Sequence, residues 1–260
     1  MANTHSKSIF ISGGAAGIGR QVVLRFLSAG WTVGAYDIDE AALASLQEEF
    51  PQVITGRLDV TDAGQWEDAL ADFTSHTGGT LDVLDNNAGV IGDGDIVDQS
   101  PEVIARQIDI NCTGVVLGAR AAHRYLKRTK NAHMVTMGSA SGIYGQPHIT
   151  PYSASKFFVL GFTQAMDLEW RKDDIRVVSL MPLWAKTKLA DVEAKSTKRL
   201  GVNIRPEDVA EAVWKAVHPA NILERHRHMY SVSTPDLVLR YLARLVPAPI
   251  VRFANSIIAG

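Results

Sequence analysis

Ser8-Ile9-Phe10-Ile11-Ser12-Gly13-Gly14-Ala15-Ala16-Gly17-Ile18-Gly19, continuing into Arg20-Gln21-Val22-Val23-Leu24-Arg25-Phe26-Leu27, is the stretch on which the fold of this chain turns. Ser8 to Ile11 make a short apolar run, and beyond the glycines Val22, Val23, Phe26 and Leu27 recur at helical spacing. A strand that passes through glycines directly into a helix builds a phosphate cradle. Glycine lets the backbone turn sharply and approach an anion, and the free amides and dipole of the first helical turn favour negative charge. A Gly-rich pattern alone would fit any strand-to-helix turn; the strand before it and the helix after it give this one its meaning.

Working outward, the same rhythm repeats. Thr32 to Tyr36, Val53 to Leu58, Leu81 to Asp85, His133 to Met137 and Ile175 to Met181 read as strands. Between them Glu40 to Glu49, Asp62 to Ser75, Pro101 to Lys127 and Pro151 to Arg171 carry apolar residues at helical spacing and are long enough for crossovers. Strand and helix alternating this often imply an α/β fold, a Rossmann-like doubly wound parallel sheet with helices on both faces. No linker, charge block or repeat divides the chain, so residues 1–260 are read as one dinucleotide-binding domain. Leu183 to Asn203 has weak periodicity and is expected to form a lid over a site. A helix from Pro206 to Val217 and a short strand near His228 to Val232 follow.

Composition narrows the function classes. The 260 residues are 46% hydrophobic and 21% charged, a balance that supports a buried core rather than disorder. Lys and Arg total 26 against 28 Asp and Glu, for a formal net charge of -2, without the positive excess that binds a phosphate backbone, so nucleic acid is not an expected partner. A single cysteine, Cys112, rules out an internal disulfide, and Met1 to Gly19 lacks the pattern of a secretory signal, so the expected location is cytoplasmic. The tail over residues 235–260 is amphipathic, with Leu237, Tyr241 and Leu245 on one stripe and Arg240 and Arg244 on another. Its arginines are too few for strong lipid attraction, so the expected use is core packing or a homodimer or homotetramer interface, with weak membrane-surface association as the alternative. His226 and His228 have no third ligand at diagnostic spacing, and no metal is expected.

At the end of the second strand stands Asp37, about 20 residues past the turn, where such folds place a carboxylate that accepts hydrogen bonds from the adenosine ribose and repels a 2′-phosphate. The spacing of Gly13, Gly17 and Gly19 is G-x-x-x-G-x-G, which resembles the short-chain dehydrogenase/reductase family. So do Asn87-Ala88-Gly89 after the fourth strand, the pair Tyr152 and Lys156 in Tyr-Ser-Ala-Ser-Lys, the preceding Ser139, and Asn111 on the helix before it. The resemblance extends from Ser8 to about Thr187. It implies an oxidoreductase that transfers a hydride between NAD and a small-molecule secondary alcohol or ketone, with Asn111, Ser139, Tyr152 and Lys156 as the catalytic residues. It further implies cofactor contacts from Ser12, Gly13, Gly17, Ile18, Gly19, Asp37, Asp59, Val60, Asn87, Ala88, Gly89, Tyr152, Lys156, Pro182 and Thr187. Ser12 stands where the family has Thr, and Leu183 and Trp184 follow Pro182 where it has Gly, adding apolar bulk beside the expected substrate.

The residues themselves make chemical sense of the pattern. Tyr152, Lys156, Val159, Thr163, Met166 and Trp170 share one face of a helix that Thr150-Pro151 would open. A lysine in a mostly apolar stripe needs a reason. A nearby ammonium would lower the phenol pKa and let Tyr152 act as general acid or base. Under the resemblance Lys156 also holds the nicotinamide ribose, Ser139 steadies the substrate oxygen, and Asn111 holds a water leading from Lys156 to solvent. Asn111 lies in the stripe Ile104, Ile108, Asn111, Val115, where an amide needs partners; a helix kink is the plain alternative. Ile143, Tyr144, Pro147, Ile149, Leu183, Trp184 and Leu189 are expected around the substrate, which is then hydrophobic or cyclic, with Ser139, Tyr152, Ile143 and Trp184 as its contacts. A non-catalytic NAD sensor, or an interaction protein using the tail, is the competing reading; it would have no use for the intact tetrad.

Overall fold

Strands β1 (Ser8–Ser12), β2 (Thr32–Asp37), β3 (Ile54–Arg57), β4 (Val83–Asn86), β5 (Ala132–Met137), β6 (Ile175–Leu180) and β7 (Met229–Tyr230) form one sheet in the order β3-β2-β1-β4-β5-β6-β7. Every pairing is parallel. The computed structural model describes residues 6–190, 192, 197, 199 and 201–258, without the side chains of 239, 241–244, 248, 254 and 258. The helices are α1 (Gly17–Leu27), α2 (Glu40–Glu49), α3 (Ala63–Ser75), α4 (Pro101–Ile108), α5 (Gly114–Leu126), α6 (Thr150–Glu169), α7 (Pro206–Val217), α8 (Ile222–Arg225), α9 (Thr234–Leu245) and α10 (Ala248–Ile258).

Because both faces are covered, the strands are apolar on both, and alternate residues feed two cores. Ile9, Ile11, Val33, Val135 and Val178 pack with Val22, Val23 and Phe26 of α1 and Val209 and Val213 of α7. On the other face Phe10, Tyr36, Leu84 and Met134 pack with Trp66, Leu70 and Phe73 of α3 and Ala119, Ala122 and Leu126 of α5. The strand order reverses between β1 and β4, so the connections from their carboxyl ends diverge and leave a crevice there.

One strand position breaks the apolar pattern. Asp85 lies opposite Ile11 of β1 and Val135 of β5, on the face that packs against α1 and α7, and is 0% exposed. Neither carboxyl oxygen has a hydrogen-bond partner among the described residues. Burial raises its pKa from the usual carboxylate range to about 8.

The expected helix Pro101 to Lys127 is two helices joined by a π-helical turn, Asp109–Thr113. Ser100 caps the first, its Oγ accepting from Val103 N at 3.4 Å. The wider turn carries Asn111 and meets the wall of α6, as such insertions do at working sites. Helix α6 starts at Thr150 itself, with Ile149 at the N-cap position and no side-chain cap, so Thr150 is not the cap. His226 ends α8 and His228 precedes β7, so the two do not alternate along a strand.

In the tail, Arg240 is 7% exposed and donates to Met229 O at 2.8 Å, so it is buried and anchors α9 to β7. The side chains of Tyr241 and Arg244 lie outside the described residues, as do positions 191, 193–196, 198 and 200 of the expected lid. Among the described residues no helix is long and apolar enough to cross a membrane.

Candidate active site

At the carboxyl ends of the strands a cavity of about 430 Å³ runs from Asp37 and Asp59, past the glycine turn, to Ser139, Tyr152 and Trp184. The turn is positioned from two sides. Gly13 N donates to Tyr36 O at 2.8 Å, and Asn87 Nδ2 donates to the carbonyls of Ser12 and Gly13 at 3.1 and 3.0 Å. Ser12 Oγ accepts from the amides of Asn87 and Ala88 at 3.2 and 3.3 Å, so the hydroxyl that replaces a threonine fastens β1 to the segment after β4.

The turn needs glycine in two distinct ways. Gly13 has φ +66°, and a Cβ there would lie 2.9 Å from Ala88 Cα. A Cβ on Gly19 would strike Gly13 O and lie 2.6 Å from Asn87 Nδ2. Ala16 caps α1 without a side-chain hydrogen bond, which leaves the first-turn amides facing the cavity. Uncapped amides, a helix dipole and a wall bare of side chains are the fittings of a pyrophosphate site.

The rest of the elongated cavity suits a dinucleotide. Asp37 stands at its far end, held by Ala15 N on Oδ2 and Asp39 N on Oδ1, each at 3.1 Å, while the capping of α2 falls to Asp39, whose Oδ1 accepts from Ala42 N at 3.0 Å. Leu58, Asp59 and Val60 flank it, and Thr187 closes over the turn, 3.5 Å from where a Cβ on Gly17 would be. Of the expected cofactor residues, Gly13, Gly17, Ile18, Asp37, Asp59, Val60, Asn87, Ala88, Gly89, Tyr152, Lys156, Pro182 and Thr187 line the cavity; Ser12 and Gly19 support the turn from behind.

The reactive groups gather at the other end. Tyr152 and Lys156 lie on the buried face of α6, 8% and 4% exposed, with Lys156 Nζ 5.4 Å from the centre of the phenol ring. Nζ also donates to Met137 O at 2.7 Å. The Tyr152 hydroxyl faces Ser139, whose Oγ accepts from Ser141 N at 3.1 Å. Burial pushes the phenol up to about 12, against the lowering influence of Ser139, and pulls Lys156 down to about 8. The lowered phenol pKa expected from the ammonium is therefore not found among the chain's own groups: removing the phenolate from water sets the direction, and Lys156 Nζ is already bonded to a carbonyl.

Asn111 is fully engaged close to this group. Its Oδ1 accepts from Val90 N and its Nδ2 donates to Val90 O, both at 2.9 Å, and Nδ2 also reaches Ser155 Oγ at 3.1 Å. The side chain fastens the segment after β4 to α6, three residues from the tyrosine. Ile143 does not line the cavity, nor do Tyr144, Pro147 and Ile149; Leu183, Trp184 and Leu189 do. In place of Ile143 the wall takes Gln146, which sequence reading passes over because nothing in a loop's pattern says which residue turns inward. Arg106 of α4 escapes it for the same reason.

The short chain dehydrogenase family matches residues 7–198. A 3-alpha-(or 20-beta)-hydroxysteroid dehydrogenase of Mycobacterium tuberculosis is 36% identical over 218 residues, spanning 83% of this chain and 79% of the relative. A 3-oxoacyl-(acyl-carrier-protein) reductase of Thermotoga maritima is 32% identical over 219 residues, 80% of this chain and 88% of the relative. Among solved structures, a short chain dehydrogenase/reductase from Burkholderia phymatum in complex with NAD is 26% identical and superposes over 93% of this chain and 94% of its own with a TM-score of 0.79. The class is that of oxidoreductases acting on CH–OH groups. This chain belongs to the short-chain dehydrogenase family.

Proposed function

We propose that Tyr152, Lys156, Ser139 and Asn111 operate this oxidoreductase on a hydrophobic or cyclic secondary alcohol or ketone. The observation that carries the reading is the buried Tyr152, with Ser139 and Lys156 beside it, in the same cavity as the glycine turn. The cofactor is NAD(H); when bound it supplies or accepts the hydride, and the chain's own groups do the rest. Gly13, Gly17 and the first amides of α1 hold the pyrophosphate, and Asp37 the adenosine ribose. In reduction Tyr152 gives its proton to the substrate oxygen, which Ser139 steadies; in oxidation it takes the proton back. Lys156 supplies positive charge beside the phenol, favouring the phenolate while the proton is away. Asn111 positions both, by tying Val90 to Ser155.

The substrate class is supported by the apolar wall of Leu183, Trp184, Leu189 and Ala190. Relatives whose names specify hydroxysteroids point the same way. A panel of cyclic alcohols and ketones followed at the NADH absorbance tests it; turnover confined to small hydrophilic polyols would refute it.

Asp37 carries a second expectation. A 2′-phosphate would meet its carboxylate, so NAD is expected to bind at least about tenfold more tightly than NADP, a difference near 1.4 kcal/mol. Asp37→Ala should shrink that ratio. Fluorescence titration of both cofactors against both proteins checks it, and tighter NADP binding by the wild type would remove the ribose role.

A further inference from the structure

Beside Ser139 and Tyr152 the cavity wall carries one neutral amide to which the proposed chemistry gives no task, Gln146. It is 3% exposed. Its place is fixed by the machinery around it: Gln146 N donates to Ser153 Oγ at 3.1 Å, and that hydroxyl donates to Ser141 O at 2.7 Å. The loop before α6 is thus fastened to the residue next to Tyr152 and to the turn that carries Ser139. The Gln146 side chain meets the buried hydroxyl of Tyr144.

An amide offers two donors and two acceptor lone pairs, so it can keep a partner within the wall and still serve a ligand. A ligand that brings an oxygen to it gains a hydrogen bond in a site already organised for one, whereas a ligand that brings a methylene lays hydrocarbon against a polar group. Steric selection by Trp184 and Leu183 could only reject substrates by size. A buried amide selects by chemistry.

We propose that Gln146 anchors a second oxygen of the substrate, so that the preferred substrates are cyclic keto-alcohols or diketones with an apolar frame and not simple ketones. The inference rests on the reading of this cavity as an alcohol/ketone site. Gln146 is a specificity residue, and the proton still passes through Tyr152.

The test compares a decalindione with the matched decalone. Gln146→Leu keeps the bulk of the side chain and removes the polar end. It is expected to lower kcat/KM for the dione about tenfold, mainly through KM, while the decalone changes by less than about twofold. Tyr144→Phe removes the hydroxyl near the amide, a hydroxyl with no hydrogen-bond partner among the described residues, and keeps Gln146; it should shift both ketones alike. Equal losses on the two ketones in Gln146→Leu, or no loss on either, would overturn the proposal. Calorimetric binding of the two ketones to the NADH complex of Tyr152→Phe provides a readout without turnover, in which Gln146→Leu should weaken only the dione, again about tenfold. If Tyr152→Phe keeps wild-type turnover, the underlying reading of the tyrosine fails. That failure leaves a dione-selective loss of binding standing, so the two failures are distinguishable.

Discussion

Tyr152→Phe is expected to lower turnover by about 10² to 10⁴, the range for removing a general acid or base, while NADH affinity stays within about twofold. The substitution deletes one atom. The ring keeps its place against Ile149, Ile91 and Trp184, and Ser139 Oγ retains Ser141 as a partner, so the wall of the cavity survives. What disappears is the transferable proton. Within the cavity Ser139 Oγ is engaged by Ser141 and Lys156 Nζ donates to Met137 O, so neither takes over its place. Steady-state rates at saturating NADH and a cofactor titration on the same preparation check both halves. A variant retaining more than about a tenth of wild-type turnover would remove Tyr152 from the role.

The second large effect concerns stability. Asp85→Val is expected to make the protein more stable by roughly 4 kcal/mol at pH 7, an order-of-magnitude figure from the distance between a carboxylate's ordinary pKa and about 8. In the folded chain the carboxyl sits between Ile11 and Val135 under α1 and α7, whose buried residues Val22, Val23, Val209 and Val213 are all apolar. Among the described residues no hydrogen-bond donor meets a charge there. The folded protein therefore holds the proton that the unfolded chain releases. The sign follows from linkage: the folded-state pKa is raised, so the cost is absent below about pH 4, grows as pH rises, and reaches its full value above about pH 8. Valine matches its neighbours and does not titrate. Urea midpoints at pH 5, 7 and 9 should diverge between the two proteins with increasing pH, and Tm near neutrality should rise by about 10 °C. Parallel curves would show that Asp85 does not keep its proton on folding.

Much of the architecture is legible in the order of residues along the chain. The cradle is local: strand, glycines and helix are contiguous, and the restriction to glycine at Gly13 and Gly19 follows from backbone sterics within a dozen residues and one neighbouring segment. The sheet order is nearly as legible, since repeated strand-helix units with right-handed crossovers leave few arrangements. Loops are another matter. Ile143 and Gln146 lie three residues apart in a segment without periodicity, and it takes the folded loop, with Gln146 N donating to Ser153 Oγ, to place Gln146 and not the isoleucine on the cavity wall.

By itself, then, the sequence determined the parallel sheet and the position of the phosphate turn, because each depends on spacing along the chain, and its resemblance to a family singled out Tyr152, Lys156, Ser139 and Asn111 as candidates. Tertiary structure decided what their surroundings do to them. Asp85 reads as the last residue of a strand until β1, β5, α1 and α7 close around it. Asn111 reads as a helix residue until a π turn and Val90 give it both its partners. The phenol of Tyr152 is raised, not lowered, because desolvation is a property of everything packed around a group, and no spacing in one chain segment encodes it.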